Sequence, residues 1–276
     1  MNYRHAFHAG NFADVHKHVV LLATLRALLK KDKPLFALDT HAGRGSYDLA
    51  SDDAKRSNEF RAGFLKLLGH HCPPVVNDYI DCVKQFSPEL SHYPGSPALI
   101  SQTLRAQDRG AFCELNPSEA RALHAHFRRQ AAMAVHARDG YEALGALLPP
   151  KERRGFILID PPFEQPDEYG RIYESLVDAH QRFPTGTFLI WMPLKADRAD
   201  VGFLQKLVNS GIRRVWSSQL WVEAKDSPVG LLGSGLVMIN PPYQLDQLLI
   251  EQLPILAKIL SRGQDFESDC RWLVPE

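Results

Sequence analysis

Apolar residues recur along the chain at two spacings, one typical of helices and one typical of buried strands. A helix over residues 12–31 is predicted because Asn11 is a suitable N-cap and the apolar positions after it recur at helical spacing. The apolar run 35–38 follows Pro34 and predicts a short buried strand that ends at Asp39. The chain is therefore expected to begin with a helix that leads into a core strand.

Strand and helix patterns continue to alternate over most of the chain. Further strands are predicted at 110–114, 133–137, 155–160, 187–192, 213–222 and 231–240, the last two close enough to pair as antiparallel neighbours. Residues 50–92 are charged and helical, and we interpret them as an inserted helical subdomain within a domain formed by 1–49 and 93–276. This order predicts a doubly wound α/β sheet with ligands at the carboxyl ends of its strands.

Composition and charge restrict the function only weakly. The 276 residues include 32 basic and 32 acidic side chains, so the formal net charge is zero, whereas nucleic-acid-binding proteins usually show a basic excess. Local basic clusters at 30–33 and 151–154 neither support nor exclude an RNA partner. No apolar run approaches the roughly 18 residues that span a bilayer, and no secretory signal is visible. The four cysteines form no C-x-x-C pair, which indicates reduced thiols in a cytoplasmic protein.

Three polar segments follow successive predicted core strands. The segment DTHAGRG (39–45) contains glycines that let the backbone approach a ligand, but it lacks the third glycine of the dinucleotide fingerprint. Glu114 ends the next strand, where a carboxylate can accept hydrogen bonds from ribose hydroxyls. Asp139 follows the third strand and could receive the amino group of a cofactor adenine. Each segment taken alone also fits an ordinary turn.

The segment Asp160-Pro161-Pro162-Phe163 follows the apolar strand at 155–159. An adenine amino group is a poor nucleophile because its lone pair is delocalised into the ring. A carboxylate and a backbone carbonyl that accept its hydrogens favour the pyramidal form, and two prolines hold these acceptors in place. The aromatic ring offers a stacking face for a base taken out of its helix. With the three preceding segments in order, this one predicts methyl transfer from S-adenosylmethionine to an adenine amine.

A second segment of the same type, Asn240-Pro241-Pro242-Tyr243, also follows a predicted strand. As a tetrapeptide it matches the amino-methyltransferase motif better than the first one does. Too few residues follow it, however, to form the remaining strands of such a sheet. We therefore expect it to be a strand end turned by prolines rather than the catalytic loop.

Four histidines lie close together near the N-terminus: His5, His8, His16 and His18. Zinc sites need compact ligand spacing with neighbouring cysteines or acids, whereas the spacing here is irregular and the one nearby acid is Asp14. No metal site is predicted. The histidines are expected to hydrogen-bond around a cofactor or phosphates.

Motifs spread over essentially the whole chain carry a family resemblance. They are YRHAFHAGN (3–11), ADV (13–15), KH (17–18), LDTHAG (38–43), YPGSP (93–97), ELNP (114–117), RRG (153–155), LIDPP (158–162) and VPE (274–276). On these motifs the chain resembles the RlmJ family of 23S ribosomal RNA adenine-N6 methyltransferases. The resemblance implies a Rossmann-like class I methyltransferase with a seven-stranded, mostly parallel sheet and a small helical insertion.

The same resemblance implies a role for individual residues. The residues that would contact S-adenosylmethionine are His18, His41, Ser96, Glu114, Asp139, Gly140 and Asp160. Asp160 would also be catalytic, and Tyr3, Lys17 and Phe163 would lie at the substrate. Phe163 stands where the family usually has tyrosine, which keeps the stacking face and removes a hydroxyl. No metal is implied, and S-adenosylhomocysteine would be the product.

Three other functions compete with this one. A DNA adenine-N6 methyltransferase would use the same motif, so the motif does not separate the two substrates. A nucleic-acid-binding protein linked to the use of external DNA is disfavoured by the intact loop at 160–162, and a nicotinamide oxidoreductase by the missing third glycine. We expect a cytoplasmic monomer without membrane contact that acts on 23S ribosomal RNA free of most ribosomal proteins.

Overall fold

The computed structural model describes residues 5–227, 230–263 and 266–276, which contain eleven α-helices and ten β-strands. The strands are β1 (Phe36–Asp39), β2 (Ser46–Asp48), β3 (His92–Pro94), β4 (Arg109–Cys113), β5 (Met133–His136), β6 (Gly155–Ile159), β7 (Thr187–Leu194), β8 (Val215–Trp221), β9 (Gly233–Ile239) and β10 (Glu267–Val274). The helices are α1 (Phe12–Leu29), α2 (Asp52–Ser57), α3 (Glu59–Ala62), α4 (Phe64–Leu67), α5 (Pro74–Phe86), α6 (Ser96–Thr103), α7 (Pro117–Phe127), α8 (Gly140–Leu147), α9 (Glu168–Arg182), α10 (Ala199–Val208) and α11 (Leu245–Leu260).

A sheet of eight strands, in the order β10-β8-β9-β7-β6-β1-β4-β5, forms the centre of the described structure. Strands β5, β4, β1, β6 and β7 are parallel, and the pairs β7–β9, β9–β8 and β8–β10 are antiparallel. Apolar side chains pack on both faces, Leu158 of β6 on one and Ile157 on the other. The expected doubly wound, mostly parallel sheet is confirmed.

The sheet has one strand more than the seven predicted. The additional strand β10 pairs with β8 at the edge of the sheet, and most of its side chains are only half-buried. An edge strand needs no continuous apolar run, and the sequence ESDCRWLV mixes charged and apolar residues. The hydrophobic pattern therefore could not reveal it.

Helix α1 lies inside the protein, packed against α5, α6, α11 and β9. The Asn11 side chain caps it by accepting the backbone N–H groups of Ala13 and Asp14. Every residue from Phe12 to Leu25 is buried, including several polar side chains. Buried polar groups need hydrogen-bond partners. Helix α1 therefore carries hydrogen-bonding side chains into the core beside the carboxyl edge of the sheet.

Helices α2 to α5 lie between β2 and β3, which pair with each other as a separate antiparallel ribbon. Phe64 and Tyr79 from this segment belong to the same hydrophobic core as Val19 of α1. The division of the chain into a main domain and an inserted subdomain stays a prediction. In the described ranges, no helix combines the length and the apolar character that crossing a membrane requires.

Candidate active site

A cavity of about 560 Å³ opens at the carboxyl edge of the parallel strands. Its volume lies within the roughly 300–1,000 Å³ of pockets that enclose ligands the size of a cofactor. The predicted site residues that line it are Lys17, His18, His41, Ser96, Glu114, Asp139, Gly140, Asp160 and Phe163. Tyr3, the remaining predicted residue, lies outside the described residues.

Glu114, directly after β4, is fixed by backbone donors. Its two carboxylate oxygens accept the N–H of Gly43 at 2.9 Å and the N–H of Asn116 at 2.7 Å. Burial raises the pKa of this carboxyl, and the backbone donors oppose the rise. Gly43 has a φ of 60°, and a Cβ there would collide with the Tyr47 hydroxyl, so glycine is required. The arrangement presents an oriented acceptor to the cavity.

Ser96 donates its hydroxyl hydrogen to Oδ2 of the fully buried Asp39 at 2.6 Å. The other oxygen of Asp39 accepts the backbone N–H of His41 at 3.2 Å. Burial raises the pKa of Asp39 to about 7, against the effect of the Ser96 bond. Ser96 therefore lines the cavity and also fixes the end of β1.

Asp139 caps α8 by accepting the N–H of Tyr141 at 2.7 Å, and its second oxygen accepts a bond from Arg171 at 3.0 Å. Gly140 packs so closely on the loop after β1 that a Cβ would collide with the carbonyl oxygen of Thr40. Glycine at 140 thus allows α8 to contact the loop after β1.

Tyr141 and Arg171 lie near α8 at the cavity, and the sequence motifs do not predict either residue. The Tyr141 ring meets His41 edge-on at 5.0 Å, and the Arg171 guanidinium lies over it at 4.5 Å. Burial lowers the pKa of His41 to about 4, so its ring is neutral. Tyr141 directly follows the predicted site residues Asp139 and Gly140, and this position is the one feature of the sequence that could have indicated its place at the site.

His18 has an unused polar atom. Its Nδ1 is hydrogen-bonded to the Tyr93 hydroxyl at 2.8 Å, while Nε2 is buried and has no partner among the described residues. Burial lowers the pKa of His18 to about 3, so the ring is neutral. A buried ring nitrogen without a partner at a cavity wall fits a group that forms a hydrogen bond with a ligand.

Asp160 lies at the end of β6 and is joined to α1 by Lys17. The Lys17 ammonium contacts Oδ2 of Asp160 at 2.5 Å and Oδ1 of Asp14 at 2.9 Å. Burial alone would lower the pKa of Lys17, but the two carboxylates outweigh it and raise this pKa above its ordinary value. Lys17 therefore stays charged, and it fixes one oxygen of Asp160. The structure shows no partner for the other oxygen among the described residues.

Phe163 follows the two prolines in the left-handed region, with a φ of 52°. Its ring meets Tyr169 of α9 at 5.0 Å and Trp191 of β7 at 5.6 Å, both edge to face. Phe163 and Trp191 line the cavity beside Asp160. No strand-end motif marks Tyr169 or Trp191, so the sequence alone does not predict either residue for the site.

The competing loop lies elsewhere. Strand β9 is antiparallel to β7, so its carboxyl end, which precedes Asn240, is at the opposite edge of the sheet from Asp160. The Asn240 amide donates to the carbonyl oxygens of Pro184 and Gly186, at 2.8 and 2.9 Å. It holds the turn that enters β7 and does not line the cavity.

The N-terminal histidines do not converge. His5 is bonded to Asp14 and His8 to Glu59, while the fully buried His16 lies between two serines. Within the described ranges, no group of three or more His, Cys, Asp or Glu side chains is placed to hold a metal ion.

The sheet order, the carboxylates Glu114 and Asp139 that follow parallel strands, and the D-P-P-F loop at the same edge are those of a Rossmann-like class I S-adenosylmethionine-dependent methyltransferase. The family model described as "Ribosomal RNA large subunit methyltransferase D, RlmJ" matches residues 32–274. The chain belongs to this family.

Similar proteins cover the whole chain. The Escherichia coli and Haemophilus influenzae proteins named "Ribosomal RNA large subunit methyltransferase J" are 37% and 36% identical to it, over 100% of both chains in each case. The crystal structure of protein LPL1258 from Legionella pneumophila is also similar, with 35% identity and a TM-score of 0.87. The similarity extends over 96% of this chain and 98% of the Legionella chain.

Proposed function

We propose that this protein transfers the methyl group of S-adenosylmethionine to N6 of one adenine in 23S ribosomal RNA. The observation that carries the proposal is the position of Asp160, which ends β6 in the same cavity as the cofactor-edge residues Glu114 and Asp139. Family membership supports ribosomal RNA of the large subunit as the substrate. The enzyme is proposed to act in the cytoplasm as a monomer, on RNA free of most ribosomal proteins.

The residues at the cofactor edge fit S-adenosylmethionine by their chemistry. Glu114 is an oriented acceptor for ribose hydroxyls, Asp139 an acceptor for the adenine amino group, and His18 offers an unpartnered ring nitrogen. Carboxylates predominate around the cavity, which suits a positively charged ligand. When bound, this cofactor supplies an electrophilic methyl group on a cationic sulfur.

Asp160 prepares the target amine. Oδ2 is held by Lys17, and the other oxygen, which has no partner among the described residues, can accept an amine hydrogen together with a carbonyl of the proline loop. Both bonds strengthen as the nitrogen becomes pyramidal and gains positive charge, so they stabilise the transition state more than the bound substrate. The amine nitrogen would form the new N–C bond while the C–S bonding pair stays on sulfur, and the methylated amine would release one proton to water.

The substrate is tested by supplying both nucleic acids. Purified enzyme and labelled S-adenosylmethionine are incubated with deproteinised ribosomal RNA from a strain that lacks this gene, or with genomic DNA. We expect label at N6 of a single adenine in 23S RNA, located by digestion and mass spectrometry, and little in DNA. Label in DNA at a comparable rate would favour a DNA methyltransferase instead.

Phe163 is expected to stack on the target adenine, since its ring lines the cavity next to Asp160. Phe163→Ala should lose about 1–3 kcal/mol of transition-state binding, measured as kcat/KM with ribosomal RNA. Phe163→Tyr is the matched control and should retain activity, because the stacking face is unchanged. Equal kcat/KM for wild type and the alanine variant would remove the stacking role.

A further inference from the structure

Strand β7 presents three successive same-face positions to the cavity. Alternate residues of a strand point to one face, and Trp191, Pro193 and then Lys195, just beyond the strand end, all line the cavity beside Asp160. Trp191 is half-buried, whereas Lys195 is exposed. The strip therefore joins a half-buried aromatic ring to an exposed cation along one wall of the cavity.

The Trp191 indole is held from behind by buried polar groups. Its Nε1 donates to Oγ of the fully buried Ser234 at 3.0 Å, and that oxygen is also hydrogen-bonded to His16 Nδ1 at 3.0 Å. His16 Nε2 is in turn bonded to Ser218 at 3.0 Å. Burial lowers the pKa of His16 to about 3, so this link is uncharged. The neighbouring residue Lys17 holds Asp160, so one turn of α1 fixes both an aromatic wall and the catalytic carboxylate.

The cations of the cavity differ in whether they are already paired. Lys17 is bonded to Asp160 and to a second carboxylate, and Arg171 is paired with Asp139 at 3.0 Å. For Lys195 the structure shows no ion pair among the described residues. In a cavity where carboxylates predominate, an approaching phosphate is repelled except near this unpaired ammonium.

We propose that the β7 strip is the nucleotide subsite for the RNA. Phe163 stacks on the target adenine, and the Trp191 ring, nearly perpendicular to Phe163, contacts the same base as a side wall. Ser234 and His16 position the Trp191 ring, and Lys195 binds a backbone phosphate beside the target nucleotide. The inference rests on the proposed function, because it names the residues that would receive the RNA. Trp191 contacts the base, while Ser234 and His16 are positioning residues that act through it.

The phosphate contact is tested by salt dependence. Steady-state methylation of deproteinised ribosomal RNA from the gene-deleted strain is measured between low and physiological salt for wild type, Lys195→Gln and Lys206→Gln. Lys206, on α10, is not among the cavity residues and is the matched loss of charge. Lys195→Gln should reduce the slope of log(kcat/KM) against log salt by about 0.7–0.9, the value for one phosphate, with kcat within about twofold. An unchanged slope, or an equal change in Lys206→Gln, overturns the phosphate contact.

The contact between Trp191 and the base is tested by a double-mutant cycle. Trp191→Ala should lower kcat/KM about 10- to 100-fold, and Trp191→Phe less, because a smaller ring still contacts the base. Ser234→Ala should lower kcat/KM in the wild-type background but not in Trp191→Phe, which has no indole N–H to position. An equal loss in both backgrounds would show that Ser234 acts independently of Trp191, and unchanged kcat/KM in Trp191→Ala would overturn the contact with the base.

Controls separate this inference from the proposed function. All variants should bind S-adenosylmethionine with wild-type affinity by calorimetry. Their unfolding temperatures should lie well above the assay temperature, so that every variant is folded when it is assayed. If the wild-type enzyme labels RNA but the variants behave as wild type, the β7 subsite is wrong and the function stands. If the wild-type enzyme labels DNA and not RNA, the proposed function fails, and the subsite inference fails as a claim about RNA.

Discussion

Asp160→Ala is expected to lower methyl transfer to ribosomal RNA at least about 100-fold while S-adenosylmethionine still binds. The Asp160 carboxylate follows β6 with one oxygen held by Lys17, so its other oxygen is oriented before the amine arrives. A bond that strengthens as the amine becomes pyramidal contributes mainly to kcat. In the variant, Lys17 keeps Asp14 as its partner at 2.9 Å, so the buried ammonium does not become isolated. Single-turnover methylation and calorimetric titration with the cofactor measure the two effects separately.

Asn240→Ala is the matched control for the Asp160 variant. It removes the polar side chain that starts the other loop with two prolines and an aromatic residue, at the opposite edge of the sheet. Its amide bonds to Pro184 and Gly186 support a turn, so turnover should change within a few-fold in a variant shown to be folded. Near wild-type turnover of Asp160→Ala would show that this carboxylate is not catalytic. A collapse of turnover in folded Asn240→Ala would instead move the active site to the second loop.

The central strands could be predicted because each is a short apolar run followed by a polar or proline segment. The predicted strand at 155–160 and the observed β6 agree within one residue for this reason. The edge strand β10 could not, since half of its environment is solvent. Helix α1 was predicted from its spacing, but not that it would be buried on every side, because that depends on α5, α6 and α11 packing around it.

Some residues of the candidate site could likewise be predicted from the sequence, and others could not. Residues that end parallel strands, such as Glu114 and Asp160, could be located because chain order places those ends at one edge. Contacts between distant segments could not be located from the sequence. Lys17 and Asp160, for example, form an ion pair although they are 143 positions apart. Trp191 lies within a strand whose apolar pattern predicts only burial. Its position at the cavity could not be predicted, because the ring is held by Ser234 of β9, which is distant in sequence.

Glu114→Ala is expected to weaken S-adenosylmethionine binding by about 3 kcal/mol, or roughly 100-fold in Kd, because two ribose hydroxyls lose a charged acceptor. Glu114→Gln should be nearly as damaging. Both carboxylate oxygens already accept backbone N–H groups, from Gly43 and Asn116, so an amide must turn its NH₂ toward one of these donors.

The matched control for Glu114 is Glu142→Gln, an exposed acid of α8 outside the cavity, which should bind the cofactor as wild type does. Calorimetric titration with S-adenosylmethionine and with S-adenosylhomocysteine gives each Kd directly. Because the ribose is common to both ligands, the Glu114 variants should lose affinity for the two equally. A loss confined to S-adenosylmethionine would mean that Glu114 senses the charge of the sulfonium rather than the ribose. Unchanged affinity for both would place the ribose elsewhere in the cavity.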